Sequence, residues 1–179
     1  MSGPSTWKID SSHTNVGFAV RHLMVSTVRG RFTGVSGTLI LDREHPANSH
    51  IDVLVEIASV DTDNEMRDNH LKSGEFFDAE KYPHMTFVST KVDSAGGDHY
   101  HVHGDLTIKG VTRPVVLEAE VTGFNRSPYG FNVVGFEAKT KINRTDFGLG
   151  WNAALETGGV VVSEEVRITL DIEAREETA

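Results

Sequence analysis

Cysteine is absent from the 179 residues, which excludes disulfides, thiolate catalysis and cysteine-ligated zinc or iron–sulfur centres. The fold must therefore rest on its core. Long apolar runs are missing as well. No segment approaches the ~20 apolar residues of a membrane span, so membrane insertion is not expected. The opening "MSGPSTWKID" lacks the basic start and apolar stretch of a secretory leader, and a cytoplasmic location is the expectation. Basic residues are the minority charge, 17 Lys and Arg against 26 Asp and Glu, with a formal net charge of −9. They are scattered along the sequence, so a polyanion such as nucleic acid is not an expected partner. Catalytic signatures are missing too: there is no Walker loop, dinucleotide glycine pattern or HExxH, and "GVSGT" at 34–38 lacks the spacing of a nucleophile elbow.

What remains is mostly alternation with period two, the mark of strands with one buried and one wet face. "VGFAVR" sets Val16, Phe18 and Val20 on one side, and "HIDVLVEI" does the same with Ile51, Val53, Val55 and Ile57. "YHVHGDLTIK" opposes Tyr100, Val102, Leu106 and Ile108 to His101, His103, Asp105 and Thr107. "PVVLEAEVTG" continues the pattern, as does "VVVSEEVRITLDIEA" with Val160, Val162, Val166, Ile168, Leu170 and Ile172. "DSAGGD", "KGVTRP" and "NRSPYG" read as turns between them. Strands joined by short turns pair antiparallel. About eight of them without strand–helix alternation predict an all-β barrel or sandwich, in a single domain over 1–179.

One segment breaks the pattern. "TDNEMRDNHLKSG" carries Thr62 three residues before Glu65, a capping-box spacing. Asp63–Arg67 and Asp68–Lys72 are spaced as i,i+4 ion pairs, and Gly74 is a terminator. One short helix over about 62–73 is predicted, followed by Phe76 and Phe77, which need an apolar seat. On such a helix residues 68 and 70 stand about 200° apart while 67 and 70 share a face. An Asp68–His70 dyad is therefore geometrically poor. Ion pairs that pin the helix, or contact of Arg67 or His70 with an anionic head group, fit better.

"HYHVHGD" is the best metal candidate, with His99, His101 and His103 about 6.5–7 Å apart along one strand face. That face is the polar one, so solvated histidines are expected, with no metal and no cofactor. The apolar residues Val16, Phe18, Val20, Leu39, Val53, Val55, Phe87, Leu106, Leu117, Phe131 and Val133 take inward positions on different strands. An eight-stranded barrel either fills itself with such side chains or holds one small ligand. His22 and Arg144 lie where strands run out into loops, the mouth of a barrel. Phe147 and Trp151 sit in the glycine-rich "DFGLGWNAALETGG", which reads as a flap with aromatic contacts.

The run "RDNHLKSGEFFDAEKYPHMTF", with "IDSSHTNVGFAVRHLM" before it and "LTIKGVTRPVVL" and "INRTDFGLG" after it, resembles the YceI-like family of bacterial lipocalin-like proteins over roughly Trp7 to Ala174. The resemblance implies an extended antiparallel β-barrel with a helical segment, enclosing an apolar tunnel for a polyisoprenoid or another long-chain lipid. Members are often homodimers and many carry a periplasmic leader. On this resemblance the apolar set above, with Phe76, Phe147 and Trp151, lines the tunnel, and His22, Arg67, His70 and Arg144 meet the polar head. The expected role is a non-enzymatic carrier or store. A hydrolase or isomerase acting on an apolar substrate, and a barrel packed solid, are the alternatives.

Overall fold

A computed structural model describes residues 3–152 and 161–178 of the chain. Val160 and residues 153–159 of the expected flap lie outside that range. The described residues form eleven strands: β1 (Ser5–Ile9), β2 (Asn15–His22), β3 (Ser26–Phe32), β4 (Val35–Leu41), β5 (His50–Glu56), β6 (Val60–Asp61), β7 (His84–Gly96), β8 (His99–Ile108), β9 (Val111–Arg126), β10 (Asn132–Asn143) and β11 (Glu165–Glu176). One α-helix, α1, spans Glu65–Lys72.

The strands form one sheet in the order β1-β4-β5-β7-β8-β9-β10-β11-β2-β3-β6, and β1 also pairs with β11. That extra pairing closes eight strands into an antiparallel barrel, one of the two folds the alternation allows and the one the family resemblance implies. β11 is long enough to hold two partners along one edge. Its C-terminal part pairs with β1 through Trp7↔Glu176 to Ile9↔Ala174, and its middle pairs with β2 through Arg167↔Ala19 to Asp171↔Asn15. The β2–β3 hairpin therefore continues the sheet beyond the ring, and β6 leads from it into α1. β9, with 16 residues, is about 50 Å long at the usual strand rise, so the barrel is an extended one.

Of three bulges in these long ladders, the third at Ala95 beside the β7–β8 turn, two re-aim the inner face. Thr122 is the extra residue in the β9–β10 ladder and Thr90 in the β7–β8 ladder. Each inserts one residue and switches inward parity. β9 points Val115, Leu117, Ala119 and Val121 inward before its bulge and Phe124 after it. β7 does the same with Met85 and Phe87, then Val92. The inner surface is one apolar cluster that includes Val35, Val53, Val55, Val102 and Ile108, with a second at one end formed by Trp7, Leu39, Leu41, Val134 and Ala174. A fully buried side chain of these types contributes roughly 1.5–3 kcal/mol.

The helix departs from its expected boundaries. Its N-cap is Asn64, whose side chain accepts the Arg67 N–H at 3.0 Å. Asp63 takes a left-handed φ of 58°, which turns the chain one residue after Thr62 and places Asn64, an equally strong cap, at the helix start. Thr62 is buried instead and gives its N–H (2.9 Å) and hydroxyl (2.5 Å) to Asp68. Arg67 donates to the Thr62 hydroxyl (2.8 Å) and carbonyl (2.6 Å). Neither predicted i,i+4 ion pair forms among the described residues, because Arg67 and Asp68 both turn back to Thr62. Ser73, not Gly74, caps the C-terminus, and the helix has eight residues.

Candidate functional site

Two cavities lie end to end, the first within the ring of eight strands and the second beyond it under the β2–β3 hairpin. The first, about 290 Å³, is walled by β4, β5, β7, β8, β9, β10 and β11. The second, about 250 Å³, lies between β2, β3, α1 and the 3₁₀ turn at Arg144–Phe147. Val16, Met85, Ile108 and Ile168 line both and form the waist between them. The rows of the sheet explain this continuity. Thr140, Ile168 and Phe18 stand opposite one another across β10, β11 and β2, so one inward row serves both spaces. Gly30 and Gly104 keep the bore open. A methyl group at either would overlap the ring of Phe18 or Phe87 respectively, both cavity-lining residues.

Most of the apolar set read from the sequence faces these spaces. Val16, Leu39, Val53, Val55, Phe87, Leu106 and Leu117 line the first cavity, and Val16, Phe18, Val20, Phe76 and Trp151 the second. Phe131, Val133 and Phe147 do not. The Phe131 ring stacks on Tyr129 outside the bore, with the Arg175 guanidinium 4.4 Å from its centroid. Val133 stands in register with Arg175, on the outer face of β10, because Val134, Phe136, Ala138, Thr140 and Ile142 carry the inward parity. Phe147 is 2% exposed and fills the core behind the second cavity. The inward residues Met85, Phe136, Ala138 and Ile142 were missed; the period-two pattern that continues from Val134 was the available signal for those on β10.

The polar side chains expected at a mouth converge on the second cavity: His22, Arg67, His70 and Arg144 all line it, joined by Thr62. His70 is packed edge-on against Phe76 and Trp151, with ring centroids 5.1 and 5.0 Å away, and its Nε2 contacts Glu75. Arg144 is 4% exposed and acts as a clamp. It donates to the carbonyls of Ser163 (2.8 Å), Val162 (3.1 Å), Trp151 (3.0 Å) and Leu149. Burial pushes its pKa down from the usual guanidinium range, an effect opposed by Glu164. The second cavity is lined by no Asp or Glu among the described residues, so the carboxylate that acts on Arg144, that of Glu164, lies outside the lining.

The far end of the first cavity is closed by the β4–β5 connection. Asp42 accepts from the N–H groups of Glu44 (3.1 Å) and His45 (2.8 Å) and from the Asn48 amide (3.2 Å). These donors, the His45 N–H foremost, hold its carboxyl below the usual carboxylate range. Arg43 lies over the Phe124 ring at 3.8 Å. Elsewhere, His103 pairs with Asp93 at 3.2 Å while His99 and His101 are exposed. Asp10, His13 and Glu173 bring three possible metal-ligating atoms together on the outer surface, but Arg175 already occupies Asp10 Oδ2 at 2.6 Å.

The family model described as "YceI-like domain" matches residues 7–174. Protein YceI of Escherichia coli O157:H7 is 38% identical over 169 residues, covering 93% of this chain and 85% of that protein. Among solved structures, BcnA of Burkholderia cenocepacia superimposes with a TM-score of 0.81 at 26% identity, over 92% of this chain and 98% of that one. A polyisoprenoid binding domain from Saccharophagus degradans superimposes with a TM-score of 0.69 at 16% identity, over 96% of this chain and 98% of that one, a likeness of fold.

Proposed function

The chain belongs to the YceI-like family, and on that premise we infer that it is a non-enzymatic binding protein for one long-chain amphiphile, a polyisoprenoid first and a fatty-acid derivative second, which it carries or stores. The observation that carries this reading is the pair of apolar cavities joined at the waist of Val16, Met85, Ile108 and Ile168. A chain threaded through both would be shielded from water along its length. The asymmetry of the ends gives it a direction. The polar head would sit in the second cavity, where Arg67 and the buried Arg144 bring positive charge and His22 and His70 bring polar rings, and the tail would run towards Trp7, Leu39 and Phe124. The polyisoprenoid named for the Saccharophagus degradans domain is the ligand class that this long, narrow, apolar space suits.

Burial of ~20 carbons at ~0.8 kcal/mol each gives a gross gain of about 16 kcal/mol. Association and chain ordering offset roughly 4–15 kcal/mol of that. Organic extraction of untagged protein followed by mass spectrometry is the test. The expected result is a stoichiometric isoprenoid or long-chain acyl species. Recovery of none, together with failure of the extracted protein to bind a fluorescent long-chain probe, would refute the reading.

A further inference from the structure

The chain is acidic, yet the fold gathers cations that are scattered in the sequence onto one outer face beside the mouth of the second cavity. Lys141, Arg167, Ala19 and Arg29 stand in register across β10, β11, β2 and β3, and Lys139, Thr169, Gly17 and Arg31 form the next row. Arg21 lies one row nearer the β2–β3 turn. All six cations are exposed. Glu165 pairs with Lys141, Asp61 with Arg31 and Glu118 with Lys139, while Arg29 and Arg167 make no ion pair among the described residues. Acids dominate only further down the face, at Glu137 and Asp171. Lys141 and Arg167 are directly opposed like charges, an arrangement that costs a sheet stability and that the Glu165 ion pair offsets on the Lys141 side alone.

The turn at the end of the same hairpin is strained as well. Val25 N–H bonds the His22 carbonyl, and the two central residues, Leu23 and Met24, have φ of 52° and 62°. Positive φ at both is the pattern of a type I′ turn, which favours Asn-Gly. Leu and Met there are strained, and although the Leu23 N–H bonds the Val161 carbonyl at 2.8 Å, both side chains are exposed. Leu23, Met24 and Val25 are 41%, 53% and 76% exposed. Backbone strain beneath exposed apolar side chains points to a role outside the chain. Arg21 ties the two features together by donating to the Met24 carbonyl at 3.4 Å, and His22, the residue before the turn, lines the second cavity.

We propose that this hairpin docks the barrel on an anionic phospholipid surface, with Leu23, Met24 and Val25 entering the head-group layer and Arg21, Arg29, Arg31, Lys141 and Arg167 lying against the phosphates. An apolar tip flanked by basic residues is the pattern of an interfacial anchor. The cationic rows span on the order of 15 Å across four strands, and charge beyond about one Debye length, ~10 Å at 0.1 M salt, is screened. A locally basic face can therefore bind an anionic surface although the whole chain is negative. Docking would place the mouth of the second cavity against the bilayer.

The test is co-sedimentation with phosphatidylcholine vesicles, with and without a phosphatidylglycerol fraction. Neither vesicle contains isoprenoid, so docking is read separately from the cavity reading. Wild type is expected to bind the anionic vesicles at least tenfold more tightly than the neutral ones, and to lose binding at high salt. Each arginine near the surface is worth about fivefold, so Arg29→Glu with Arg167→Glu should weaken binding at least tenfold. Lys91→Glu on β7, across the barrel, should leave it within about twofold. Leu23→Asn with Met24→Gly is the decisive variant. It matches the turn's preferred residues, so Tm should hold or rise while vesicle binding falls severalfold. Unchanged vesicle binding in that variant, or no preference of wild type for anionic vesicles, would overturn the proposal. So would light scattering that shows a wild-type dimer which this variant converts to monomer, since the tip would then be a contact between two copies.

Discussion

Ile168→Trp tests whether the two cavities act as one. Ile168 lines both and is only half-buried, so an indole there has space to enter on either side. Overpacking a filled core costs typically 1–3 kcal/mol, and the open space should keep this substitution near the low end. The indole would close the waist. The cavities are nearly equal, about 290 and 250 Å³, so a chain of ~20 carbons loses the seat of about ten. At ~0.8 kcal/mol per carbon that is about 8 kcal/mol gross. Even half of it, about 4 kcal/mol, corresponds to roughly a thousandfold in affinity. The assay is a titration series of saturated fatty acids of increasing length, with circular dichroism to confirm folding. Wild-type affinity should climb with length through the longest members, whereas the variant should stop gaining at about half that length. Identical length dependence in two folded proteins would refute a continuous bore.

Asn64→Ala should cost about 1 kcal/mol as a lost N-cap. Thr62→Ala should cost more, about 1–3 kcal/mol, because Arg67 and Asp68 are left short of a partner; chemical denaturation midpoints compare the two, and the reverse order would contradict the network described. Asp10 supplies the acid-side prediction. The Ser12 hydroxyl first, then His13 and Arg175, against an opposing effect of burial, hold its carboxyl well below the usual range. A depressed folded pKa contributes stability that is present above the unfolded value of about 3.9 and is lost as pH falls below it. Asp10→Asn should therefore flatten the loss of Tm below about pH 4, and an unchanged acid limb would count against that assignment.

The barrel was legible because a half-buried strand writes its register into alternate residues, and β2, β5, β8 and β11 do so plainly. The bore was less legible. Val133 and Val134 are adjacent apolar residues of similar propensity, and the pair is resolved only by following the alternation on through Phe136 and Ala138, as the ladder of Val134 with Ala174 bears out. The bulge at Thr90 shifts parity with no glycine beside it in β7, and the one at Thr122 is marked only by Gly123 next to it. At the helix, Thr62 and Asn64 are both good caps, and the choice between them follows from the left-handed turn at Asp63 and the pull of Asp68, a tertiary contact. That the second cavity holds His22, Arg67, His70 and Arg144 together depends on β2, α1 and the 3₁₀ turn meeting in space, which no local pattern states. The cationic face had the same fate: cations far apart in sequence become neighbours only through strand order.

The β1–β11 seam bears on how the interior comes to exist at all. Only three register pairs, Trp7↔Glu176 to Ile9↔Ala174, shut the ring, and the Asp10–Arg175 ion pair beside them joins residues 165 positions apart. Such long-range pairing must meet its loop-closure entropy before any contact repays it, so it forms slowly and late. If the seam is the last pairing to form, the curved sheet would until then be an open trough with its apolar face in water. A lipid that arrives during that interval would need no mouth: it would be wrapped as the seam shuts, and ring closure would become a step of loading as well as of folding.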